Sequence, residues 1–306
     1  MKFFCVSAIG VENFVVKEIE TIVNNFNNEC QVHNDLNNDL ELNKKKLNLN
    51  FIKIKGLIFF EISNFEFFFS DIEKFEFIEK LSKIRFCEGI FILFKKYSSI
   101  TRYRSSLRNI RHQTNKISKK LLGFVIEYEK YKAKKIMENI HIKKNTSEKI
   151  NQKNILDIKA SYIGKRDYNA KDIELIINNI LINMLNFFQD LNNLNLRFHC
   201  YLTEDYSLLG FEISEPFFIE QTRGSLNKAI AELMLEIADV KKITNNNENK
   251  TLKEKNEKIL DPMCGTGIIP LLCSIYGYEA YGNDIDKEKI NIAEKNKTYL
   301  KEREKN

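Results

Sequence analysis

The stretch from Lys258 to Asp286, KILDPMCGTGIIPLLCSIYGYEAYGNDID, constrains this chain more than any other. Ile259 and Leu260 form a short apolar lead that ends at Asp261. A small-residue turn follows, Cys264-Gly265-Thr266-Gly267, and then an apolar run of helical character to about Tyr276. Glu279 to Gly282 reads as a second short strand, closed by a second acid, Asp284. Strand, glycine turn, helix and strand make one β-loop-α-β unit of a doubly wound sheet, with its ligand crevice at the carboxyl ends of the strands. Glycine permits left-handed backbone and close approach that a Cβ would block. The helix that starts there directs free N–H groups toward the crevice.

Asp284 lies 23 residues after Asp261, the spacing at which a second-strand acid takes ribose hydroxyls in nucleotide sites. A dinucleotide site would carry G-x-G-x-x-G. Here the two glycines are followed by Ile268-Ile269-Pro270, so the third is missing. That pattern argues against a pyrophosphate and for an adenosine ligand carrying an amino acid. A glycine-rich turn from some other α/β protein remains the alternative, since glycine loops alone are weak motifs. DPMCGTGIIP, then GNDID, then Ile292-Ala293-Glu294-Lys295-Asn296, resembles the first two motifs of S-adenosylmethionine-dependent methyltransferases. More narrowly, it resembles the THUMP-domain RNA guanine-N2 methyltransferases. By that resemblance Asp261, Gly265 and Gly267 line the methionine side of the cofactor, with Cys264 and Thr266 in the same loop, and Asp284 binds its ribose. Asp286 either joins that set or caps the helix starting near Lys287.

At 306 residues the length suits two or three domains. No uninterrupted apolar run reaches the ~18–20 residues of a membrane span. The opening MKFFCVSAIGVENF carries one lysine and reaches Glu12 quickly, unlike a secretory signal. Six cysteines are scattered without C-x-x-C pairs and four histidines stand alone. This argues against a zinc site or a disulfide framework and for a reducing, cytoplasmic setting. Net charge is +6, but residues 101–150 hold fourteen Lys/Arg against four Glu, a balance of +10, so the remainder sums to −4. A concentrated basic segment is an electrostatic footprint for phosphates. A solvated helix face in a lysine-rich chain reads the same way.

From the start, residues 2–8 read as a strand, 11–23 as a helix, and 24–49 as a polar excursion. Strands at 51–54 and 57–62, a helix at 71–84 and a strand at 90–94 complete a β-α-β-β-α-β order, which suggests a ferredoxin-like module over 1–98. FFCVSAIGVENFVVKEIE and GLIFFEI resemble the N-terminal domain that precedes THUMP in the same family. The basic run follows, with Arg102, Arg104, Arg108 and Arg111, then Lys119 and Lys120, an ordered stretch at 121–128, and a helix over 130–144. A strand at 155–163, the turn Gly164-Lys165-Arg166-Asp167, a helix at 171–188 and two antiparallel strands at 197–202 and 208–213 come next. This order resembles THUMP across 99–215. The resemblance implies a tRNA partner, gripped by Lys165 and Arg166 with help from Arg102, Arg104, Lys119 and Lys120. A solvated turn is the alternative for the Lys-Arg pair. Residues 215–224 connect the modules, Ser225 is a good N-cap for a lead-in helix to about Val240, and 241–257 reads as a loop.

The expected fold class is therefore α+β ferredoxin-like and THUMP modules followed by the first part of an α/β Rossmann-like methyltransferase domain over 216–306. From Asp261 to Asn306 there are 46 residues, and a doubly wound domain needs about 100–150, so the domain is expected to be incomplete. In the resembled family a loop of Asn or Asp, Pro, Pro and an aromatic holds the guanine amine. The prolines here are Pro216, Pro262 and Pro270. No Pro-Pro pair exists, no catalytic residue is assigned, and a second polypeptide supplying the remainder is one expectation. The function implied is formation of N2-methylguanosine in tRNA, with ribosomal RNA as the alternative substrate and non-catalytic RNA binding as the alternative class.

Overall fold

The computed structural model describes residues 1–35, 47–65, 69–143, 156–191, 194–214, 220–240 and 258–305. Seven strands form one sheet: β1 (Lys2–Val6), β2 (Asn48–Ile54), β3 (Leu57–Ser63), β4 (Gly89–Lys96), β5 (Leu156–Tyr162), β6 (Leu196–Leu202) and β7 (Ser207–Glu212). Their order is β2-β3-β1-β4-β7-β6-β5. Every neighbouring pair is antiparallel except β5 with β6. The strand pattern fits a sheet with one buried face. Leu196, Phe198, Cys200 and Leu202 alternate with more exposed residues along β6, as a strand with one buried face must.

That face is covered by α1 (Glu12–Asp35), α2 (Asp71–Ser82), α3 (Ser106–Thr114), α4 (Lys119–Lys143) and α5 (Ala170–Leu185). Helix α5 follows the apolar period read from the sequence. Ile173, Ile176, Ile177, Leu181 and Leu185 are buried, and Asn169 and Asp172 close a capping box at its start. On the other face a smaller cluster joins Phe4, Val6, Leu57, Phe91 and Leu208 across four strands. Phe4 and Phe91 stack there with ring centroids 4.7 Å apart.

Segments 1–96 and 156–212, read from the sequence as separate modules, share this sheet. The joint is β4 against β7, with Phe91 opposite Glu212, Ile92 opposite Phe211 and Leu93 opposite Gly210, followed by a register shift before Lys95. Other expectations are corrected locally. Helix α1 runs through 24–35, where a polar excursion was expected. Phe26 packs on Phe69 and Phe77, and buried Asn27 bonds both backbone groups of Leu47. The rest of that excursion, 36–46, lies outside the described residues. Helix α3 was not expected at all; it is anchored by buried Ile110 and by Thr114, whose hydroxyl bonds Tyr97 Oη at 2.8 Å. Residues 119–143 form one helix rather than two pieces.

A second, parallel pair completes the described chain: β8 (Lys258–Asp261) and β9 (Glu279–Gly282), joined by α7 (Ile268–Ile275) and followed by α8 (Lys287–Lys305). Helix α6 (Lys228–Ile237) precedes it and buries Ala231 and Leu235 against Ile268, Leu272, Cys273 and Tyr276 of α7 and the turn after it. The N-cap of α6 is Asn227, not Ser225. The Asn227 side chain accepts from Ala229 N at 2.8 Å, and Ser225 is turned instead toward the glycine loop. The expected loop at 241–257 lies outside the described residues. Among those described, no helix is long and apolar enough to cross a membrane.

Arg85 ties the two sheets together. Its backbone N–H and its Nε donate to the Glu18 carboxylate at 3.0 and 3.4 Å, and its Nη2 reaches Glu236 of α6 at 3.2 Å. Lys228 donates to the Arg85 carbonyl at 3.1 Å, and Asn227 to Glu88 at 2.7 Å. Burial pushes the Glu18 carboxyl up despite the guanidinium beside it. Replacing Arg85 by Met should therefore lower stability at neutral pH by about 1–3 kcal/mol, since it leaves a buried carboxylate short of its cation. A carboxyl with a raised folded-state pKa loses stability as pH rises through that value. The deficit should thus shrink as the medium is acidified and Glu18 takes a proton. Denaturant unfolding of both proteins at neutral pH and at about pH 4 checks this.

Candidate functional site

Parallel pairing sets Asp261 opposite Gly282, so both strands deliver their following loops to one edge. The loops bond to each other there. Asn283 N–H donates to the Asp261 carbonyl at 2.9 Å, and Cys264 N–H to the Asn283 carbonyl at 2.8 Å. Between them the chain turns through Gly265 (φ 54°) and Gly267 (φ 87°), both in the left-handed region that glycine enters without steric cost. A Cβ on Gly265 would meet nothing within 4 Å, so that side of the loop is open. A Cβ on Gly267 would lie 3.0 Å from that of Ala293 in α8. Helix α7 starts directly after Gly267. Pro270 falls in its first turn, where a missing N–H costs no intrahelical bond.

The acids are brought together. Asp284 Oδ2 accepts from Gly265 N–H at 2.9 Å and its Oδ1 from Asp286 N–H at 2.9 Å. The Asp286 and Gly265 N–H groups hold the Asp284 carboxyl below its ordinary value. It stands as a charged acceptor spanning the crevice from the second strand to the glycine loop. Asp261 Oδ1 accepts from Met263 N–H at 3.1 Å. Asp286 Oδ1 accepts from Glu288 N–H at 2.9 Å, the bond of a helix cap. Thr266 is buried and donates to Ser225 Oγ at 3.3 Å. Cys264 is buried, and burial together with the nearby Asp261 and Asp284 charges pushes its thiol up, so it rests as a neutral side chain rather than a nucleophile. The Asn296 side chain, quoted above only as part of a motif, is buried and bonded to the Thr266 carbonyl. Its signal in the sequence was its place three residues after Ala293, on the same helix face.

The basic candidates separate into three kinds. Arg102, Arg104 and Lys165 are exposed, and the turn carrying Lys165 is bonded to the first arginine segment through Asp167 N–H to the Arg102 carbonyl at 2.8 Å. Arg166 has a structural use. Its Nη1 donates to the Thr101 carbonyl (3.1 Å) and Tyr168 Oη (2.8 Å), and its Nη2 to the Thr203 carbonyl (3.0 Å). Lys119 and Lys120 are exposed at the start of α4, and the Lys119 ammonium lies 4.1 Å from the ring centroid of Phe187. Sequence reasoning overlooked two aromatic rings beside these cations: Tyr103, half exposed under the Arg102 guanidinium, and Phe187, 72% exposed. The Arg-Tyr-Arg run at 102–104 was the available signal.

No protein-family model matches the chain, and no curated protein does. Among solved structures it is similar to TrmN from Thermus thermophilus, at 13% identity and a TM-score of 0.43 over 98% of this chain and 70% of that one. It is similar also to a predicted N6-adenine-specific DNA methylase from Listeria monocytogenes (11%, TM-score 0.44, 96% and 70%). A third is a candidate methyltransferase complexed with SAH (13%, TM-score 0.44, 98% and 72%).

The Asp284 bonds have a pH signature. A depressed carboxyl contributes order above its unfolded value, 3.8 for Asp, and loses it as pH falls through the lower folded value. The Gly265 amide resonance should therefore stay constant down to the ordinary Asp range and shift only below it. In an Asp284→Asn protein that acid transition should be missing.

Proposed function

We propose that this chain binds S-adenosylmethionine at the Cys264–Gly267 loop and RNA through its basic segment, as the cofactor-binding and RNA-positioning part of an RNA methyltransferase. The observation that carries this reading is the bond from Gly265 N–H to Asp284. It holds the Asp284 carboxylate beside a loop that is open on its Gly265 side, which supports a role for Asp284 as acceptor of ribose hydroxyls. These residues fit the cofactor. Asp284 would hold the ribose, while Asp261 and the backbone of Cys264, Gly265, Thr266 and Gly267 would line the amino-acid end. The two-glycine loop without a third glycine favours this ligand over a dinucleotide. When bound, the cofactor supplies an electrophilic methyl group on a sulfonium centre. The chain's own contribution is orientation, which dominates reactions of this kind.

Within that reading, the first four strands with α1 and α2 are a ferredoxin-like module over 1–98. Residues 99–215 are a THUMP module, and 216–306 form the part of a Rossmann-like methyltransferase domain that carries the cofactor loop. The substrate is tRNA and the product N2-methylguanosine, with ribosomal RNA as the alternative substrate. Arg102, Arg104, Lys119, Lys120 and Lys165 contact phosphates, which position RNA without choosing a base. Tyr103 offers a ring on which a base can stack. Arg166 supports the turn from behind.

Calorimetry with S-adenosylhomocysteine and with NAD tests the cofactor. The homocysteine ligand should bind, NAD should not, and Asp284→Ala should weaken binding about tenfold or more, as expected for loss of a charged hydrogen-bond acceptor. Binding of NAD alone would replace this reading by a dinucleotide one. For RNA, Lys165→Glu and Arg104→Glu should each weaken tRNA binding and flatten its salt dependence by about one counterion per lost contact. Arg166→Met should instead lower the melting temperature. Tight, salt-independent binding in the charge-reversed proteins would move the RNA surface elsewhere.

A further inference from the structure

One buried amide joins three segments that lie far apart in sequence. Asn296, 3% exposed on α8, accepts from Glu220 N–H at 2.7 Å through Oδ1. Its Nδ2 donates to the Glu220 carbonyl at 3.0 Å and to the Thr266 carbonyl at 3.0 Å. The side chain thus pairs with the backbone of Glu220 on both sides and uses its second N–H on the middle of the glycine loop. One turn earlier on α8, Ala293 lies against Gly267, where a larger side chain would strike the loop. The segment that Asn296 holds, 220–226, is a strap entering α6. It is folded on itself by Thr222 N–H to Ser225 Oγ (2.8 Å) and Ser225 N–H to the Thr222 carbonyl (3.0 Å). It is pinned again to the loop by Thr266 Oγ1 to Ser225 Oγ (3.3 Å). A helix-borne residue with only surface duties would not bury an amide and spend it on two unrelated backbones.

We propose that Asn296 is a positioning residue for the cofactor loop: it locks the 220–226 strap to the Thr266 carbonyl, so that loop and strap form one preorganised wall of the ligand site. This rests on the cofactor reading above, and it adds a residue outside the loop and both acids to the determinants of affinity. Preorganisation raises affinity by removing the cost of ordering the site on binding. Unpinning the strap should therefore weaken the ligand even though Asn296 does not touch it.

The test combines amide hydrogen exchange with calorimetry on the whole chain, using S-adenosylhomocysteine as the probe. In Asn296→Ala the amides of 220–226 and of Gly267 should exchange faster, those of β1, β4 and β6 should be unchanged, and the probe should bind about tenfold more weakly. Ser225→Ala breaks the joint from the strap side without touching the helix. It should loosen the same amides and weaken the probe in the same direction, which keeps the test available if Asn296→Ala folds poorly. Unchanged affinity alongside a loosened strap overturns the proposal, as does faster exchange spread evenly through α7 and α8. If the wild-type chain fails to bind the probe, the cofactor reading falls. The exchange data alone then decide whether Asn296 couples strap and loop.

Discussion

The parallel register of two four-residue strands governs everything at the candidate site. Because Asp261 faces Gly282, the two outgoing loops arrive level and bond to each other through Asp261, Asn283 and Cys264. The turn between them passes through Gly265 and Gly267, both in left-handed conformations. The same register brings Asp284 within reach of Gly265 N–H. A slip of one residue would flip the side-chain faces of β9 and carry Asp284 away from the loop. Acid, glycines and helix start are consequences of one pairing rather than independent features.

How legible this was depended on range. The loop, its two acids and helix α5 could be read because each is encoded within about thirty consecutive residues by spacing alone. The union of the two N-terminal segments could not. It needs Ile92 to find Phe211, more than a hundred positions away, and nothing local in either strand names its partner. Polar helices failed for a related reason. The 24–35 part of α1 is rich in Asn, a poor helix former, and it is fixed by tertiary anchors at Phe26 and Asn27. At α6 the competition was between two good caps. Asn227 won because its amide also reaches Glu88, whereas Ser225 closes a turn two residues earlier.

The charge count was informative in total and misleading in detail. The +10 balance over 101–150 already subtracts Glu127 and Glu129, which pair with Lys130 and Lys132, while Lys135 pairs outside the segment with Glu79 of α2. Exposed pairs of this sort add little stability, but they remove cations from any phosphate-binding surface. Arg166 is withdrawn more completely, with its guanidinium committed to two carbonyls and a hydroxyl. Among the described residues, Arg102, Arg104 and Lys165 stay exposed on segments held together by the Asp167 to Arg102 backbone bond, and Lys119 and Lys120 stay exposed at the start of α4.

Two joints in series connect the surface around Lys165 to the glycine loop. The β4–β7 pairing makes the surface around Lys165 rigid with the first half of the chain. Arg85, with Glu18 behind it and Glu236 in front, then fastens that body to α6. From α6 the path to the loop is short. Its buried Ala231 and Leu235 pack on α7, and the strap that leads into it bonds to Thr266 through Ser225 and Asn296. The first joint is a hydrogen-bonded ladder, which cannot shift by less than a register. The second is a charged cluster whose members could re-pair after a small rotation. If the two bodies move relative to one another, geometry places that motion at Arg85 rather than within the sheet.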